Sequence, residues 1–550
     1  MAPSSDADAC VPKVITDFIF DLYDSVTLSH IHEEQVKFYN TDFYNLHHTY
    51  FSSGGSSNVT LWPQPQAIAS ECNGHPLFLA LYRELTDRQW HATERPTLRD
   101  RMEGWQVYQQ LFDEILEDPL SIYVIPQWCF DILHEFVYQF QGYCQVRSAV
   151  YASVNRINNA AAAAETGKEP PKGDQQKVKD LMENYRLFQQ SDAWDVEAVF
   201  GYLKKFVSLG QEHKDNAFCL HLSLFSSVAL SRLECLLGDY NACLKALTPV
   251  LQMADVPIPQ KTNPEPTHLQ VLHSVVAARL SMAYHAGIAF LMLRRYKDAM
   301  SVLSDISAVL LRGIKTGQFR KAPEHHHRHH DKDGQTGAVL HQQQQSSIIL
   351  KQHDRMMNLL AILSQLLPGN NTGLLDDGVA KAMREKFGKA VVIDGVSNKF
   401  EDYFACPQFI TIGSYPSSFS RQQVMLFGKE MKVQTSFQTL RSYLKLYTSL
   451  PLEKLAKFHD QSVEEFLPLL LCYKSRMRQL ESTTIVSADG IDYYAGGSYK
   501  IALDIHYYVV MNVCFIDEAE KQRRFENYFY SQIAQATEIQ KDAIAINTRV

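Results

Sequence analysis

The chain lacks a membrane span: its longest apolar runs, such as Ala286 to Leu293, fall well short of the roughly 20 residues a transmembrane helix needs. It lacks a basic excess. A net charge of −8 gives no global pull toward nucleic acid or anionic membrane. It lacks a Cys-x-x-Cys pair. Ten scattered cysteines in so long a chain fit reduced, buried thiols of the cytosol or nucleus better than disulfides. The sequons at Asn58 and Asn370 are then chance matches. The start, Met1 to Asp6, has neither the basic nor the apolar region of a secretory signal. The phosphate-cradling and nucleophile-elbow motifs are missing too. His134-Glu135 has no second histidine at the zinc-protease spacing and reads as a surface pair on an amphipathic helix. These absences leave no catalytic, metal-ligating or cofactor-binding residue to nominate.

What is present is helix. At 45% apolar and 21% charged, 550 residues can bury a large core in two to four folding units. Val14 to His32, Pro76 to Trp90, Leu98 to Leu116 and Pro126 to Tyr143 all repeat apolar residues at helical spacing. The last puts Trp128, Ile132, Leu133, Phe136 and Phe140 on one stripe. A serine-glycine loop, Ser52 to Ser57, and an alanine- and proline-rich stretch, 156–178, read as breaks.

An internal echo follows. Leu236 to Leu244, with Gly238-Asp239-Tyr240, returns 56 residues later as Met292 to Met300, with Arg294-Arg295-Tyr296. Leu247 matches Leu303 and Val250 matches Ile306. In each copy a long helix meets a short turn and a second helix begins near the tyrosine, the unit of tetratricopeptide-like arrays. The plainer alternative is two unrelated helical hairpins. Prolines 257, 259, 264 and 266 mark an insertion that lengthens the period. The low-complexity stretch Lys321 to Gln345, with its run His325 to His330, has no carboxylate or cysteine framework to fix a metal and reads as a solvated loop. Helix returns at Ile348 to Leu367.

Leu440 to Asn512 reads as a winged helix. Leu440, Tyr443, Leu444 and Tyr447 share one helical face; a short helix follows with Leu452, Leu455, Ala456 and Phe458 inward. Ser462 and Glu465 form a capping box for a third helix carrying Phe466, Leu469, Leu470, Tyr473 and Met477 inward to about Leu480. Ile501 and Leu503, then Tyr508 and Val510, read as two arms of a hairpin. Glu464 and Glu465 at the start of the third helix disfavour groove reading, and the dipole explains Lys474, Arg476 and Arg478 near its end. Asp517 to Ile546 reads as one long helix whose seam includes Phe525, Tyr528, Phe529 and Ile533. That seam needs a partner surface.

Helical repeats running into a winged helix and a terminal helix resemble the PCI proteins of the proteasome lid, the COP9 signalosome and eukaryotic translation initiation factor 3. Gln127-Trp128, Glu135-Phe136 and Tyr138 to Gln141 look like the signature of the subunit L family of that initiation factor. The two repeat segments, Thr439 to Phe458 and Ser487 to Gly490 are similar to it as well. The resemblance covers most of residues 60 to 535; the alanine- and histidine-rich insertions and the tyrosine-rich wing depart from it, as in a divergent member.

The resemblance implies a mainly α chain of successive segments. These are an N-terminal tail and helix (1–59), a helical region (60–155), a linker (156–178), tetratricopeptide-like repeats (179–318) and a low-complexity insertion (319–347). The helical part of a PCI domain (348–427), a winged helix (428–515) and a bundle helix (516–550) complete it. It implies a non-catalytic, cytoplasmic scaffold without cofactors, helping to mount the factor and messenger RNA on the small ribosomal subunit, beside subunits K and E. By position, Tyr499, Ile501, Leu503, Tyr508 and Val510 would offer edge strand to a neighbour, and Phe525, Tyr528, Phe529 and Ile533 would enter a common helix bundle. Packing against the chain's own helices is the alternative for both groups. A PCI subunit of the lid or signalosome, or a winged-helix nucleic-acid binder, are the alternative functions, and direct RNA contact stays open.

Overall fold

A computed structural model describes residues 12–51, 61–164, 175–259, 265–319, 336–367, 374–387, 406–407, 409–410, 419–481, 496–501, 505–518 and parts of 529–540. The fold is mainly helical. The helices are α1 (Lys13–Asp24), α2 (His32–Lys37), α3 (Phe43–Leu46), α4 (Pro65–Ile68), α5 (Pro76–Thr93), α6 (Leu98–Glu117), α7 (Pro126–Ala164), α8 (Gln175–Gln190), α9 (Val196–Glu212), α10 (Ala217–Leu237), α11 (Tyr240–Ala246), α12 (Thr248–Gln252), α13 (His268–Ser274), α14 (Val276–Met292), α15 (Tyr296–Lys315), α16 (Gly337–Leu366), α17 (Asp377–Phe387), α18 (Phe419–Leu444), α19 (Leu452–Phe458) and α20 (Val463–Arg476). The strands are β1 (Ser449–Pro451), β2 (Arg478–Glu481), β3 (Ser498–Ile501), β4 (Ile505–Val510) and β5 (Val513–Glu518). The chain divides into a large unit (Met1–Leu366, Asn371–Lys432, Leu480–Ser498) and a small one (Leu367–Asn370, Val433–Gln479, Tyr499–Val550).

In the large unit the predicted stripe of α7 is buried: Trp128, Leu133, Phe136 and Phe140 have no exposure. Trp194 is the hub beside it. Its φ of +58° turns the loop before α9 inward, and the indole packs on Trp105, Tyr108 and Phe136. Its Nε1–H donates to the Arg101 carbonyl at 2.7 Å, which satisfies the indole's own polar atom inside the core.

The echo in the sequence is an echo in structure. α10–α11 and α14–α15 are both helix-turn-helix hairpins with the second helix starting at Tyr240 or Tyr296. The turn residue is left-handed in both copies, Gly238 at φ +85° and Arg294 at φ +61°. Glycine adopts that conformation freely; the arginine does so at a cost that the packed hairpin must offset. In the second copy Gly287 lets the helices close, since a Cβ there would meet Leu303 at 2.6 Å. α10 is long and apolar enough to cross a membrane by composition, but 89% of its most apolar window is buried in the fold, as in a core helix.

Several expectations are corrected. The first helix is α-helical to Asp24 and continues as a π-helical turn over Ser25–Ser29, where His30 at φ +53° ends it short of His32. The alanine-rich stretch taken for linker continues α7 as far as Ala164, because alanine is the best helix former. His134-Glu135 is no surface pair: Arg232, itself 93% buried, donates from Nη1 to the His134 carbonyl at 3.1 Å. Burial, then the Arg232 charge, holds His134 well below the usual histidine range. α16 begins at Gly337, so the glutamine run Gln342 to Gln345 is helix and not loop. Its first turns are packed: the His341 and Tyr44 rings stack at 3.6 Å, and Ala338 N–H donates to Asn45 Oδ1 at 2.9 Å. Residues 1–11, Ser52 to Ser57, Glu169 to Gly173, Pro264, His325 to His330 and Ser487 to Gly490 lie outside the described residues.

The small unit is the winged helix. Phe437, Leu440 and Leu444 of α18, Leu455 and Ala456 of α19, and Phe466, Leu470 and Tyr473 of α20 share one core with Ile505, Tyr507, Cys514 and Ile516. The capping box at Ser462 and Glu465 is present. Two details differ from expectation: α18 starts at Phe419, well before Leu440, and Phe458 points outward at 42% exposure.

Two outcomes follow for the large unit. His341→Ala removes the stack on Tyr44 and should cost about 1–2 kcal/mol, read as a lower urea midpoint; an unchanged midpoint contradicts the packing of α16. Burial also holds His221 and His285 down to about 3 and His341 down to about 4. The unfolded chain therefore binds more protons at these sites below about pH 6.5, and stability falls as pH drops. Glu84, pushed up by burial to about 7, works in the opposite sense, as do Asp131 and Glu135. The lowered histidines outnumber these carboxylates, so the melting midpoint should fall from pH 7 to pH 5. A flat or rising midpoint over that range contradicts it.

Candidate docking surface

The wing is built on a two-residue turn. Met511 and Asn512 have φ of +49° and +63°, the left-handed pair that joins strands with the natural twist of a hairpin. β4 and β5 run antiparallel from it, and β1 adds to the far side of β5, giving the order β1-β5-β4. Side chains alternate across the pleat. Ile505 and Tyr507 of β4 and Cys514 and Ile516 of β5 face the helices and are buried. Burial pushes the Cys514 thiol up to about 11. Tyr507 Oη donates to the Leu470 carbonyl at 2.7 Å, and Lys474 Nζ donates to the Tyr507 carbonyl at 2.9 Å, tying the wing to α20.

The opposite face carries Tyr508, Val510, Val513, Phe515 and Pro451 toward the turn, and Ser449, His506 and Asp517 farther from it. Tyr508 and Phe515 are register partners, and their rings stack at 5.4 Å with an interplanar angle of 17°. Both remain more than a third exposed, as does Val510, and Met511 at the turn is 94% exposed. Beside β1, Tyr443, Phe458 and Tyr447 form a second row of near-parallel rings, with centroids 5.3 and 6.3 Å apart. Leu446 next to it is 72% exposed. So many large apolar groups open on one small unit make this face a candidate interaction surface.

This changes the reading of the site residues. Tyr508 and Val510 belong to one strand, not to an arm facing Ile501 and Leu503. The true partner arm is Val513 to Glu518, so Asp517 begins no helix; it sits in β5 opposite His506. The inward set is Ile505 and Tyr507, and alternation puts Tyr508 and Val510 on the open face. Tyr499 and Ile501 lie in β3, which pairs with β2 in a separate two-stranded ladder, so Tyr499 to Asn512 is not one continuous edge strand. Leu503, Phe525 and Tyr528 lie outside the described residues. Phe529 and Ile533 are helical, 60% and 61% exposed, with Ile539 at 68% continuing the open seam. Phe515, Phe458 and Met511 were missed; the run Val513-Cys514-Phe515-Ile516 after Met511-Asn512 was the available signal for the first and last.

A family model described as RNA polymerase I-associated factor PAF67 matches residues 100–536 of the 550. The chain belongs to the PAF67 family. A Nematostella vectensis relative named eukaryotic translation initiation factor 3 subunit L is 28% identical over 98% of this chain and 94% of its own length. Relatives of the same name from Danio rerio (28% identical, 87% of this chain, 77% of the relative) and Homo sapiens (27%, 88% and 79%) align nearly as widely. The resemblance read from the sequence therefore holds, and this PAF67-family chain is divergent from those relatives.

The assigned parity has a direct consequence. Tyr507→Phe should cost about 1 kcal/mol or more, since the Leu470 carbonyl loses its donor in a buried site. Tyr508→Ser should shift stability by less than about 0.5 kcal/mol. If chemical denaturation ranks the two in the reverse order, the outward assignment of Tyr508 is wrong.

Proposed function

We propose that this chain is a non-catalytic scaffold subunit of eukaryotic translation initiation factor 3, acting in the cytoplasm. The names of its relatives support membership of that complex. The observation that carries the scaffold reading is the outer face of the winged helix, open and apolar from the Met511 turn to Tyr508 and Phe515, with His506 and Asp517 beyond them at its far end. Burying it against another protein gains roughly 25 cal/mol per Å² of apolar surface, offset by the ordering costs of association. Its neighbours in this reading are other initiation factor 3 subunits, K and E first among them. The small ribosomal subunit is then engaged through the assembled factor, where the chain supports preinitiation-complex formation and recruitment of messenger RNA.

β4 is the edge of its sheet among the described residues, so a neighbour can add to its backbone as well as cover its face. The open seam of Phe529, Ile533 and Ile539 fits a second contact of the same chemistry, a helix received into a bundle. A place in the proteasome lid or the signalosome would use the same fold; the names of the relatives favour the initiation factor.

Tagged chain expressed in its own cells tests this. Wild type should co-purify with initiation factor 3 subunits and co-sediment with small ribosomal subunits. Tyr508→Glu with Phe515→Glu, both on the solvent side of the pleat, should reduce that recovery about tenfold or more without lowering the melting midpoint. Removing residues 519–550 should weaken it as well. Recovery of lid or signalosome subunits instead, or full recovery of initiation factor 3 by the double variant, overturns the proposal.

A further inference from the structure

The small unit carries a second surface of different chemistry. The end of α20 and the start of β2 bring Lys474, Arg476 and Arg478 within five residues, and from Phe466 to Leu480 the sequence has no acidic residue. Among the described residues no carboxylate lies within 4 Å of Lys474 or Arg478. The dipole of α20 accounts for cations in its last turn, Lys474 and Arg476. It does not account for Arg478, which lies beyond the helix in β2.

β3 supplies an aromatic to this cluster. The Arg478 guanidinium lies over the Tyr499 ring, 5.4 Å from its centroid, while Tyr499 stays 67% exposed. Lys500 follows on the reverse face of the same ladder. Glu481 at the end of β2 is already paired with Lys297 at 2.6 Å, so it does not cancel this charge. The other acids near this ladder in sequence, Asp489 and Asp492 between β2 and β3 and Asp504 between β3 and β4, lie outside the described residues.

An open ring braced by a guanidinium that has no carboxylate within 4 Å among the described residues matches a strand that offers flat bases and a phosphate backbone. It does not match an apolar protein face, which the outer side of the three-stranded sheet fits instead. Duplex reading is disfavoured: Glu464 and Glu465 occupy the first turn of α20, where a recognition helix meets the groove, and would repel phosphates. We infer that Tyr499 and Arg478 form a binding site for single-stranded nucleic acid, one base stacking on Tyr499 and a flanking phosphate meeting Arg478, with Lys474 and Arg476 of the same segment adding positive charge.

Fluorescence anisotropy on the purified full chain tests this, with labelled 20-nucleotide RNA and DNA single strands and an RNA duplex as probes. Single strands should bind more tightly than the duplex, with affinity falling steeply as salt rises from about 50 to 200 mM. Tyr499→Ala should weaken single-strand binding about five- to hundredfold, and Tyr499→Phe should retain it, since stacking needs the ring and not the hydroxyl. Arg476→Gln with Arg478→Gln should lower the slope of log affinity on log salt by about 0.7 per lost contact. Lys454→Gln with Lys457→Gln, on α19 of the same unit, should leave affinity unchanged. Equal RNA and DNA affinities support a site reading bases and phosphates alone; a preference for RNA supports it with the 2′-hydroxyl added. Absent single-strand binding at 50 mM salt, tighter duplex binding, or Tyr499→Ala binding like wild type while losing a co-purifying protein, each overturns the inference. Because this readout needs no other subunit, its failure is separable from failure of the scaffold reading.

Discussion

A three-stranded sheet with helices on only one side must leave half of its alternating side chains uncovered, and the small unit is organised by how that constraint is met. Ile505, Tyr507, Cys514 and Ile516 take the helix side. Tyr507 locks the choice, because its hydroxyl donates to the Leu470 carbonyl and its own carbonyl accepts from Lys474. Slipping β4 by one residue would break both bonds and bring Tyr508 under the helices. The outer face then consists of what alternation leaves over, and toward the turn the leftovers are Tyr508, Val510 and Phe515, with His506 and Asp517 at the other end. A wing that faced only water would ordinarily carry polar residues at those positions. Their apolar character is what the proposed docking role rests on.

The large unit meets a different constraint: its polar groups must be satisfied inside an aromatic core. Tyr39 stacks on Trp128 at 4.9 Å while its hydroxyl donates to Asp131 at 2.7 Å, and Arg88 reaches the same hydroxyl and Glu84. One buried cation thus serves two carboxylates, and burial raises Glu84 until it is partly protonated near neutral pH. The arrangement ties the N-terminal segment to α5 and α7. A few residues on, Tyr44 and Asn45 hold the first turns of α16. Sequence-distant helices are joined there by stacked rings and single polar bonds, a kind of contact that helical periodicity does not register.

That difference explains which parts were legible in advance. The α7 stripe, the capping box at Ser462 and the paired hairpins at Tyr240 and Tyr296 depend on residues three, four or fifty-six apart, and such spacings can be read directly. The turn position survives even where Gly238 is replaced by Arg294, because packing of the two helices, not the turn residue alone, enforces the left-handed φ. The wing was harder. Tyr507-Tyr508-Val509-Val510 is apolar on both faces, so alternation cannot say which side is inward, and the arm paired with it was taken from Ile501 and Leu503 instead of Val513 to Glu518. Val513 to Ile516 was passed over because its apolar run leads straight into a helical pattern. The first turns of α16 were lost for the opposite reason: Gln342 to Gln345 looks like low complexity, yet helix needs only propensity and one packed face, which Gly337 and His341 begin.

The two surfaces of the small unit bear on each other. A scaffold face gains from being apolar and uncharged, because charged groups there would have to be desolvated on assembly. The Arg478 and Tyr499 ladder is built in the opposite way, with cations whose attraction for phosphate is strongest when they stay hydrated and unpaired until contact. Both characters occur within one small unit, on separate strands, Tyr508 and Phe515 on β4 and β5 and Arg478 and Tyr499 on β2 and β3. A single docking patch would have no physical reason to separate them. Chemical segregation of this kind follows if one surface is permanently covered by protein and the other must remain open to a strand that arrives and leaves.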